Sequence, residues 1–250
     1  MSDDQNWFAN DQFWAIFGDC MFRPETFREA RQEIDKIRTL SGIHHGDVLD
    51  LGCGPGRHSI PLSEAGFAVT AVDLSETLLT QGQASAGDND TIEWVKADMR
   101  SFCRPDSYDL AISMWTSFGY FDQVDDDLQV LTQIRSSLRS QGRLLLDVVG
   151  KEYVLRNLQP VHLTDFDDGT VLIERPVLSD EMCRYHNEWT LIREGQAHTA
   201  EWSQNLYTAQ ELRTLLTQAG FKDIEVYGSL DADDYDIDAE RLVVVATAEK

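Results

Sequence analysis

The sequence has little positive charge. Of its 250 residues, 21 are Lys or Arg and 44 are Asp or Glu, so the formal net charge is −23. Nucleic acids and anionic lipid surfaces repel a protein with a charge of this sign. We therefore expect neither a nucleic acid nor a membrane as partner, and a neutral or cationic small molecule fits the charge better.

Cysteine pairs, long apolar runs and a secretion signal are also missing. The four cysteines are scattered, with no C-x-x-C pair and no His at ligand spacing, so neither a metal site nor a disulfide framework is expected. No run of 18 apolar residues offers a membrane span. The first residues are acidic and polar rather than basic and then apolar, which favours a cytoplasmic protein. The protein could be a monomer or a homodimer.

Aromatic residues are concentrated near the start of the chain. Trp7, Trp14 and Phe17 are among six aromatic residues between positions 5 and 22. Pro24 then opens an amphipathic pattern that stops near Gly42. We expect residues 1–45 to form an aromatic and helical lid, with Trp14 facing a substrate. A hydrophobic latch on the rest of the protein would give the same pattern.

From residue 46 onward the sequence alternates between strand and helix patterns. Ser75 can cap one helix, and Thr208 with Glu211 forms a capping box for another. Such alternation predicts βαβ units around a mainly parallel sheet with helices on both faces. The predicted strands are residues 48–51, 68–73, 91–95, 108–114, 143–149, 224–227 and 241–246.

The alternation is interrupted at about residues 165–207. This segment has three β-rich runs, separated by turn signals at 180–181 and 194–196, and therefore predicts a small antiparallel sheet. Alternate residues of a strand share a face, so Tyr185, Asn187 and Trp189 lie together. We expect them to line a substrate pocket, although packing on the core would use the same face. The predicted core is then 46–164 with 208–250.

A glycine-rich turn follows the first predicted strand. Gly52, Gly54 and Gly56 let the backbone turn tightly and let a ligand approach closely. Asp73 ends the next strand, where a carboxylate can accept both hydroxyls of an adenosine ribose. Glycines and an acid in this context predict a nucleoside-containing cofactor.

The spacing of the glycines distinguishes two cofactors. The dinucleotide pattern is G-x-G-x-x-G, whereas the chain has G-x-G-x-G at positions 52–56. Asp50 precedes the turn, and its carboxylate would not help to bind a pyrophosphate. It suits a ligand that carries an ammonium and a sulfonium group.

These motifs resemble those of class I S-adenosylmethionine-dependent methyltransferases over nearly the whole chain. The resemblance covers the turn at 48–56, Asp73, the adenine-clamping segment at Asp98 and Met99, the fourth strand with its following loop, and the C-terminal pattern. It implies a seven-stranded Rossmann-like sheet whose last strand is antiparallel, with S-adenosylhomocysteine as product. The cofactor-binding residues that it implies are Asp50, Gly52, Cys53, Gly54, Gly56, Asp73, Leu74, Asp98, Met99 and Met114.

The loop at residues 115–120 resembles that of small-molecule amine methyltransferases, including sugar N-methyltransferases. Those enzymes often carry His where this chain has Tyr120. A Tyr hydroxyl is a weaker base near neutral pH, so we expect Tyr120 to position the substrate by hydrogen bonding. A core aromatic is the alternative role. Trp115 of the same loop is a further candidate for the substrate pocket.

The sequence therefore predicts a methyltransferase for a small molecule, acting on nitrogen or oxygen, with no metal. Catalysis would come mainly from aligning the reacting atoms for in-line transfer. Two alternatives use the same fold: transfer or cyclisation of the aminocarboxypropyl arm, and a SAM-binding subunit without catalysis. An NAD-dependent oxidoreductase is disfavoured by the glycine spacing, and an RNA methyltransferase by the charge.

Overall fold

The computed structural model describes residues 4–179 and 181–249. The predicted lid and core extend to residues 1–3 and 250, and one predicted turn includes Asp180; these positions lie outside the described residues. In the described part of the chain, no helix is both long and apolar enough to cross a membrane.

Seven strands form one sheet in the order β10-β11-β5-β4-β1-β2-β3. All neighbouring pairs are parallel except those made by β11, which runs antiparallel to β5 and β10. The predicted fold class is therefore confirmed. The strands are β1 (Asp47–Leu51), β2 (Ala68–Asp73), β3 (Ile92–Lys96), β4 (Tyr108–Ser113), β5 (Leu138–Val148), β10 (Phe221–Tyr227) and β11 (Leu242–Ala248).

Helices lie on both faces of this sheet. A 3-10 helix at Asp4–Ala9 precedes the α-helices. The α-helices are α1 (Asp11–Met21), α2 (Pro24–Ser41), α3 (Ser59–Glu64), α4 (Glu76–Ala86), α5 (Val124–Ser137), α6 (Lys151–Asn157) and α7 (Ala209–Gln218).

The predicted helix boundaries follow local capping chemistry. Ser75 accepts a hydrogen bond from the Leu78 amide at the start of α4, and Thr208 and Glu211 form the predicted capping box of α7. Pro24 opens α2, and Gly42 ends it with a left-handed φ of 70°. These caps satisfy backbone groups that a helix end leaves without partners.

Two apolar clusters cover the two faces of the seven-stranded sheet. Leu131 and Ile134 of α5 and Leu212 of α7 pack on one face. Ile37 of α2 and Leu62 of α3 pack on the other. Burial on both faces explains why the central strands are apolar along their whole length.

A second sheet contains four antiparallel strands in the order β6-β7-β8-β9. They are β6 (His162–Asp165), β7 (Val171–Ser179), β8 (Arg184–Arg193) and β9 (Gln196–Asn205). The sequence predicts three β-rich runs here and no helix or strand in residues 150–164. Strand β6 and helix α6 were therefore not predicted. Both elements are short, at 4 and 7 residues, and give little periodicity to detect.

Helix α1 packs against this second sheet through a third apolar cluster. Phe13 stacks on Phe17 at 4.9 Å and on Trp189 of β8 at 6.2 Å between ring centroids. Leu191 of β8 and Leu78 of α4 belong to the same cluster. The aromatic N-terminal segment therefore connects the four-stranded sheet to the helices of the main sheet.

A buried carboxylate also joins the end of the four-stranded sheet to the core. Asp127 of α5 is fully buried. One of its oxygens accepts hydrogen bonds from the Tyr207 hydroxyl at 2.5 Å and from the Asn205 amide at 2.7 Å. Burial raises the pKa of Asp127 to about 6, and the two hydrogen bonds oppose this rise.

Because the pKa of Asp127 is higher in the folded than in the unfolded state, this residue makes the free energy of unfolding depend on pH. Between pH 3.8, the ordinary pKa of the group, and pH 6, the folded state binds more protons than the unfolded state. The contribution of Asp127 to stability is therefore fully present at low pH and is lost as pH rises towards 7. Asp127→Asn removes this dependence, and wild type should gain up to about 3 kcal/mol relative to the variant between pH 7 and pH 4.

Urea unfolding of both proteins at pH 4, 5, 6 and 7 measures this difference. Asp125→Asn is the matched control, because Asp125 lies two residues earlier on α5 and is exposed; it should follow wild type throughout. A gap between wild type and Asp127→Asn that stays constant with pH would contradict the assignment.

Candidate functional site

A cavity of about 410 Å³ opens at the carboxyl ends of β1, β2 and β4, and we call it the edge cavity. Parallel strands end here in loops, which is where α/β sheets bind ligands. Most residues that the sequence predicts for the cofactor line this cavity: Asp50, Gly52, Cys53, Gly54, Asp73, Leu74, Asp98, Met99 and Met114.

The glycine turn after β1 requires its glycines for two reasons. Gly52 and Gly54 have φ values of 76° and 55°, which disfavour other residues. A Cβ on Gly52 would lie 2.7 Å from the Cβ of Ser117. The Gly54 amide donates a hydrogen bond of 2.8 Å to Asp73 Oδ2, so the turn and the end of β2 are held together.

Two carboxylates stand beside this turn: Asp50 is buried and Asp73 is half-buried. Asp73 also accepts a hydrogen bond from the Ser75 amide, and burial raises its pKa against the effect of these backbone donors. Asp50 accepts from the Ser59 hydroxyl at 2.5 Å, and burial raises its pKa as well. Each carboxylate oxygen has two lone-pair sites, so Asp73 retains acceptor capacity towards the cavity.

Asp98 lines the edge cavity but already has a cationic partner. Arg100 donates to both of its oxygens, the closest contact being 2.6 Å from Nη2 to Oδ2. Burial raises the pKa of Asp98, but the hydrogen bonds from Arg100 outweigh it, and the net effect is a lowered pKa. The side chain is therefore an ionised, fixed acceptor beside Met99.

Gly56 does not line the edge cavity. A Cβ at this position would lie 2.4 Å from Cη2 of the Trp94 ring. A Cβ on Gly82 of α4 would lie 2.5 Å from the same ring. The third glycine of the motif therefore leaves room for an indole that packs between the turn and α4.

The loop after β4 is held in a strained conformation. Trp115 and Thr116 have φ values of 54° and 63°, a left-handed region that costs non-glycine residues about 1–3 kcal/mol each. Asp147 of β5 accepts hydrogen bonds from both amides, at 3.1 and 2.9 Å, through its side chain and its carbonyl. Arg241 binds the same carboxylate at 2.7 Å and the Thr116 hydroxyl at 3.2 Å. These contacts compensate the strain and fix the loop.

A second cavity of about 300 Å³ lies between the main sheet and the four-stranded sheet, and we call it the inter-sheet cavity. It adjoins the edge cavity. Of the residues predicted for a substrate pocket, Tyr185, Asn187 and Trp189 line it, whereas Trp14 and Trp115 line the edge cavity. Residues common to both cavities are Trp7, Met21, Thr116, Tyr120 and Trp189.

Tyr120 lies where the two cavities meet. Its ring is 5.0 Å from Trp7 and 6.0 Å from Trp202, in edge-on arrangements. Burial raises the pKa of its hydroxyl above the ordinary value of 10.0. The side chain therefore stays a neutral hydroxyl at physiological pH and is not a general base.

Several polar atoms that border the inter-sheet cavity have no hydrogen-bond partner. They are Asn187 Oδ1 and the indole nitrogens of Trp7, Trp189 and Trp202. Glu174 of β7 also lines the cavity and accepts a hydrogen bond of 3.3 Å from Asn187. Buried polar atoms without partners are unusual in folded proteins, and these ones point to a polar ligand.

The sequence did not predict one charged residue of the site, Glu174, and did not predict the burial of another, Arg57. Glu174 of β7 pairs with Trp189 of β8. The turn signals in the sequence do not predict this strand register. Arg57 lines the edge cavity directly after the glycine turn. Its position beside Gly56 was visible in the sequence, but its burial was not.

The known proteins to which this chain is similar include methyltransferases. Residues 48–142 match the family model of a methyltransferase domain. The chain is 29% identical over 198 residues to a glycine/sarcosine N-methyltransferase from Aphanothece halophytica, covering 77% of this chain and 72% of the relative.

Two solved structures share the fold. The CcbJ methyltransferase from Streptomyces caelestis has a TM-score of 0.79 at 18% identity, covering 89% of this chain and 90% of that one. CalS10 from Micromonospora echinaspora, an amino pentose methyltransferase with bound SAM, has a TM-score of 0.70 at 18% identity, covering 89% and 91%.

The close approach of the Trp94 ring to Gly56 leads to a stability prediction. Gly56→Ala should destabilise the fold by about 1–3 kcal/mol more than Gly87→Ala, because overpacking against the Trp94 ring adds to backbone strain. Gly87 is the matched control: its φ is 62°, and a Cβ there meets nothing within 4 Å. Urea unfolding compares the two variants with wild type. Equal losses would mean that the Trp94 ring moves aside.

Proposed function

We propose that this chain, a class I methyltransferase that uses S-adenosylmethionine, methylates the nitrogen of a small-molecule amine. The inter-sheet cavity carries the proposal, because it adjoins the edge cavity and combines aromatic rings with a single carboxylate, Glu174. A relative that acts on glycine and sarcosine and a fold neighbour that acts on an amino pentose support an amine as acceptor.

The residues of the edge cavity fit S-adenosylmethionine. The cofactor carries an ammonium, a sulfonium and one carboxylate, and when bound it supplies an electrophilic methyl group. Three carboxylates, from Asp50, Asp73 and Asp98, line the cavity and match its cationic and hydroxyl groups. Gly52 and Gly54 line the cavity without side chains, so a ligand can approach their backbone closely.

We assign the cofactor-binding roles on this basis. Asp73 would accept the ribose hydroxyls, Asp98 the adenine amino group, and Met99 would contact the ring. Leu74, Cys53 and Met114 would supply apolar walls, as they line the same cavity. Gly56 would act indirectly, by admitting Trp94 behind the turn.

The acceptor would bind in the inter-sheet cavity. Aromatic faces attract cations, and Tyr185 and Trp202 lie 5.5 Å apart there. Among the described residues that line the cavity there is no Lys or Arg, and Glu174 is its one carboxylate. This combination favours an ammonium or amine over an acid.

The transfer requires alignment rather than a nucleophilic side chain. The acceptor nitrogen forms a bond to the methyl carbon as the carbon–sulfur bond breaks, and S-adenosylhomocysteine leaves as a neutral thioether. The amine must lose one proton overall, to Glu174 or to water. Tyr120 would position the nitrogen through its neutral hydroxyl at the junction of the two cavities.

The four-stranded sheet and the N-terminal segment would exclude water from this reaction. We propose the insertion at about 165–207 as a roof, because Tyr185, Asn187 and Trp189 face the cavity. Residues 1–45 would act as a lid, since Trp7 contacts both Tyr120 and Trp202. A dry site strengthens each electrostatic contact inside it.

Product analysis tests the reaction class. The protein is incubated with methyl-labelled S-adenosylmethionine and a panel of small amines, alcohols and carboxylic acids, and products are identified by mass spectrometry. The proposal predicts N-methylated products in equal amount to S-adenosylhomocysteine. Label found only on oxygen, or methylthioadenosine as the nucleoside product, would overturn it.

A variant of Glu174 tests the acceptor cavity. Glu174→Gln keeps the shape of the side chain but removes its charge, so kcat/KM for a cationic amine should fall about 10- to 100-fold, the scale of a hydrogen bond to a charged group. S-adenosylmethionine affinity should stay unchanged. Glu188→Gln is the control, since Glu188 lies on the opposite face of β8 and pairs with Arg175. Equal effects of the two variants would contradict the role.

A further inference from the structure

Asn205, the last residue of β9, forms hydrogen bonds on both sides of Tyr120. Its backbone amide donates to the Gly119 carbonyl at 2.7 Å. Its side-chain amide donates to the Phe121 carbonyl at 3.0 Å. One residue of the four-stranded sheet therefore binds the carbonyl groups of both residues that flank Tyr120.

The side-chain amide of Asn205 has a single orientation. It also donates to Asp127 Oδ2 at 2.7 Å, and its Oδ1 accepts a hydrogen bond of 3.0 Å from Arg184 Nη1. If the amide were flipped, Oδ1 would face the oxygens of Phe121 and Asp127, which have no hydrogen to donate to it. Because the residue is buried, breaking these hydrogen bonds would leave polar groups without partners, which is costly.

The loop after β4 and the end of β9 approach each other closely at this point. Gly119 has a φ of 100°, and a Cβ there would lie 3.1 Å from the Asn205 carbonyl oxygen. A glycine therefore lets the two backbones come together. Arg184 of β8 strengthens the contact by donating to the Phe121 carbonyl at 2.8 Å and to Asp122 Oδ1 at 3.1 Å.

The two ends of this loop are held by different sheets. The Trp115 end is bound to Asp147 of β5, in the main sheet. The Tyr120 end is bound to Asn205 of β9, in the four-stranded sheet. Asn205 itself lines neither the edge cavity nor the inter-sheet cavity. Any effect of its side chain on a reaction in these cavities must therefore pass through the loop.

We propose that Asn205 is the positioning residue of Tyr120, and that it sets where the Tyr120 hydroxyl lies between the two cavities. The inference rests on the proposed function, in which Tyr120 positions the acceptor nitrogen. A reaction that depends on alignment is sensitive to a displacement of about 1 Å. Asn205 therefore controls turnover without touching either reactant, and it couples the position of Tyr120 to the four-stranded sheet.

A double-mutant cycle tests whether Asn205 acts through Tyr120. Wild type, Asn205→Ala, Tyr120→Phe and the double variant are compared with S-adenosylmethionine and the amine of the panel that wild type methylates fastest. Asn205→Ala should lower kcat about 10- to 100-fold, because the hydroxyl is displaced. Its affinity for S-adenosylmethionine should stay unchanged. In the Tyr120→Phe background the same substitution should lower kcat by less than about 3-fold, since the two residues act as one unit.

A second readout and a control separate positioning from stability. Crystal structures with S-adenosylhomocysteine should show the Tyr120 hydroxyl of Asn205→Ala displaced by about 1 Å or more, with Trp115 in its wild-type place. Tyr207→Phe is the control, because the Tyr207 hydroxyl donates to the same oxygen of Asp127 but does not contact the loop carbonyls. It should lower the melting temperature and keep the kcat of wild type.

Three results with an active wild type would overturn the inference alone. Losses of kcat that multiply in the double variant would show that Asn205 acts independently of Tyr120. Equal losses of kcat in Asn205→Ala and Tyr207→Phe would assign Asn205 to stability. A Tyr120 hydroxyl that keeps its place in the Asn205→Ala structure would refute the positioning role without any activity measurement. Wild type that methylates no amine of the panel would refute the proposed function and this inference together.

Discussion

The hydrogen bond from the Gly54 amide to Asp73 ties two separate parts of the site together. It joins the turn after β1 to the end of β2, over a distance of 2.8 Å, through a half-buried carboxylate. Gly54 itself has a left-handed φ of 55°, which favours glycine at this position. The edge cavity depends on this contact, since both its glycine backbone and Asp73, the proposed ribose acid, are fixed by it.

The loop after β4, which also borders the site, is held in a strained conformation by hydrogen bonds. Asp147 and Arg241 keep the loop after β4 in left-handed conformations that Trp115 and Thr116 would not adopt alone. That loop carries Trp115 over Arg57 and ends at Tyr120, between the two cavities. A rigid loop of this kind suits the proposed transfer, because a reaction that depends on alignment requires both reactants to be held in place.

The features that the sequence predicted correctly are those that depend on residues close together in the chain. Alternating strand and helix periods gave the seven-stranded sheet, the cap at Ser75 and the capping box at Thr208 gave helix starts, and the glycine turn with Asp73 gave the position of the edge cavity. The resemblance to class I methyltransferases is confirmed by the matched domain family. The roles of individual site residues stay predictions.

The features that sequence did not predict depend on pairs far apart in the chain. Asp127 meets Asn205 and Tyr207 across 78 and 80 residues, and neither partner is implied by the helix pattern. Glu174 enters the site through the register of β7 and β8. No periodicity encodes such pairings, because they arise only when the elements pack.

The central claim is that the edge cavity and the inter-sheet cavity are the two halves of one methyl-transfer site. A crystal structure with sinefungin, which carries an amine-bearing carbon in place of the sulfonium and its methyl group, tests it directly. The account predicts that the adenosine lies against Asp73 and that the amine of the analogue points into the inter-sheet cavity beside Tyr120. An analogue whose amine points away from that cavity, or that binds outside the edge cavity, would contradict it.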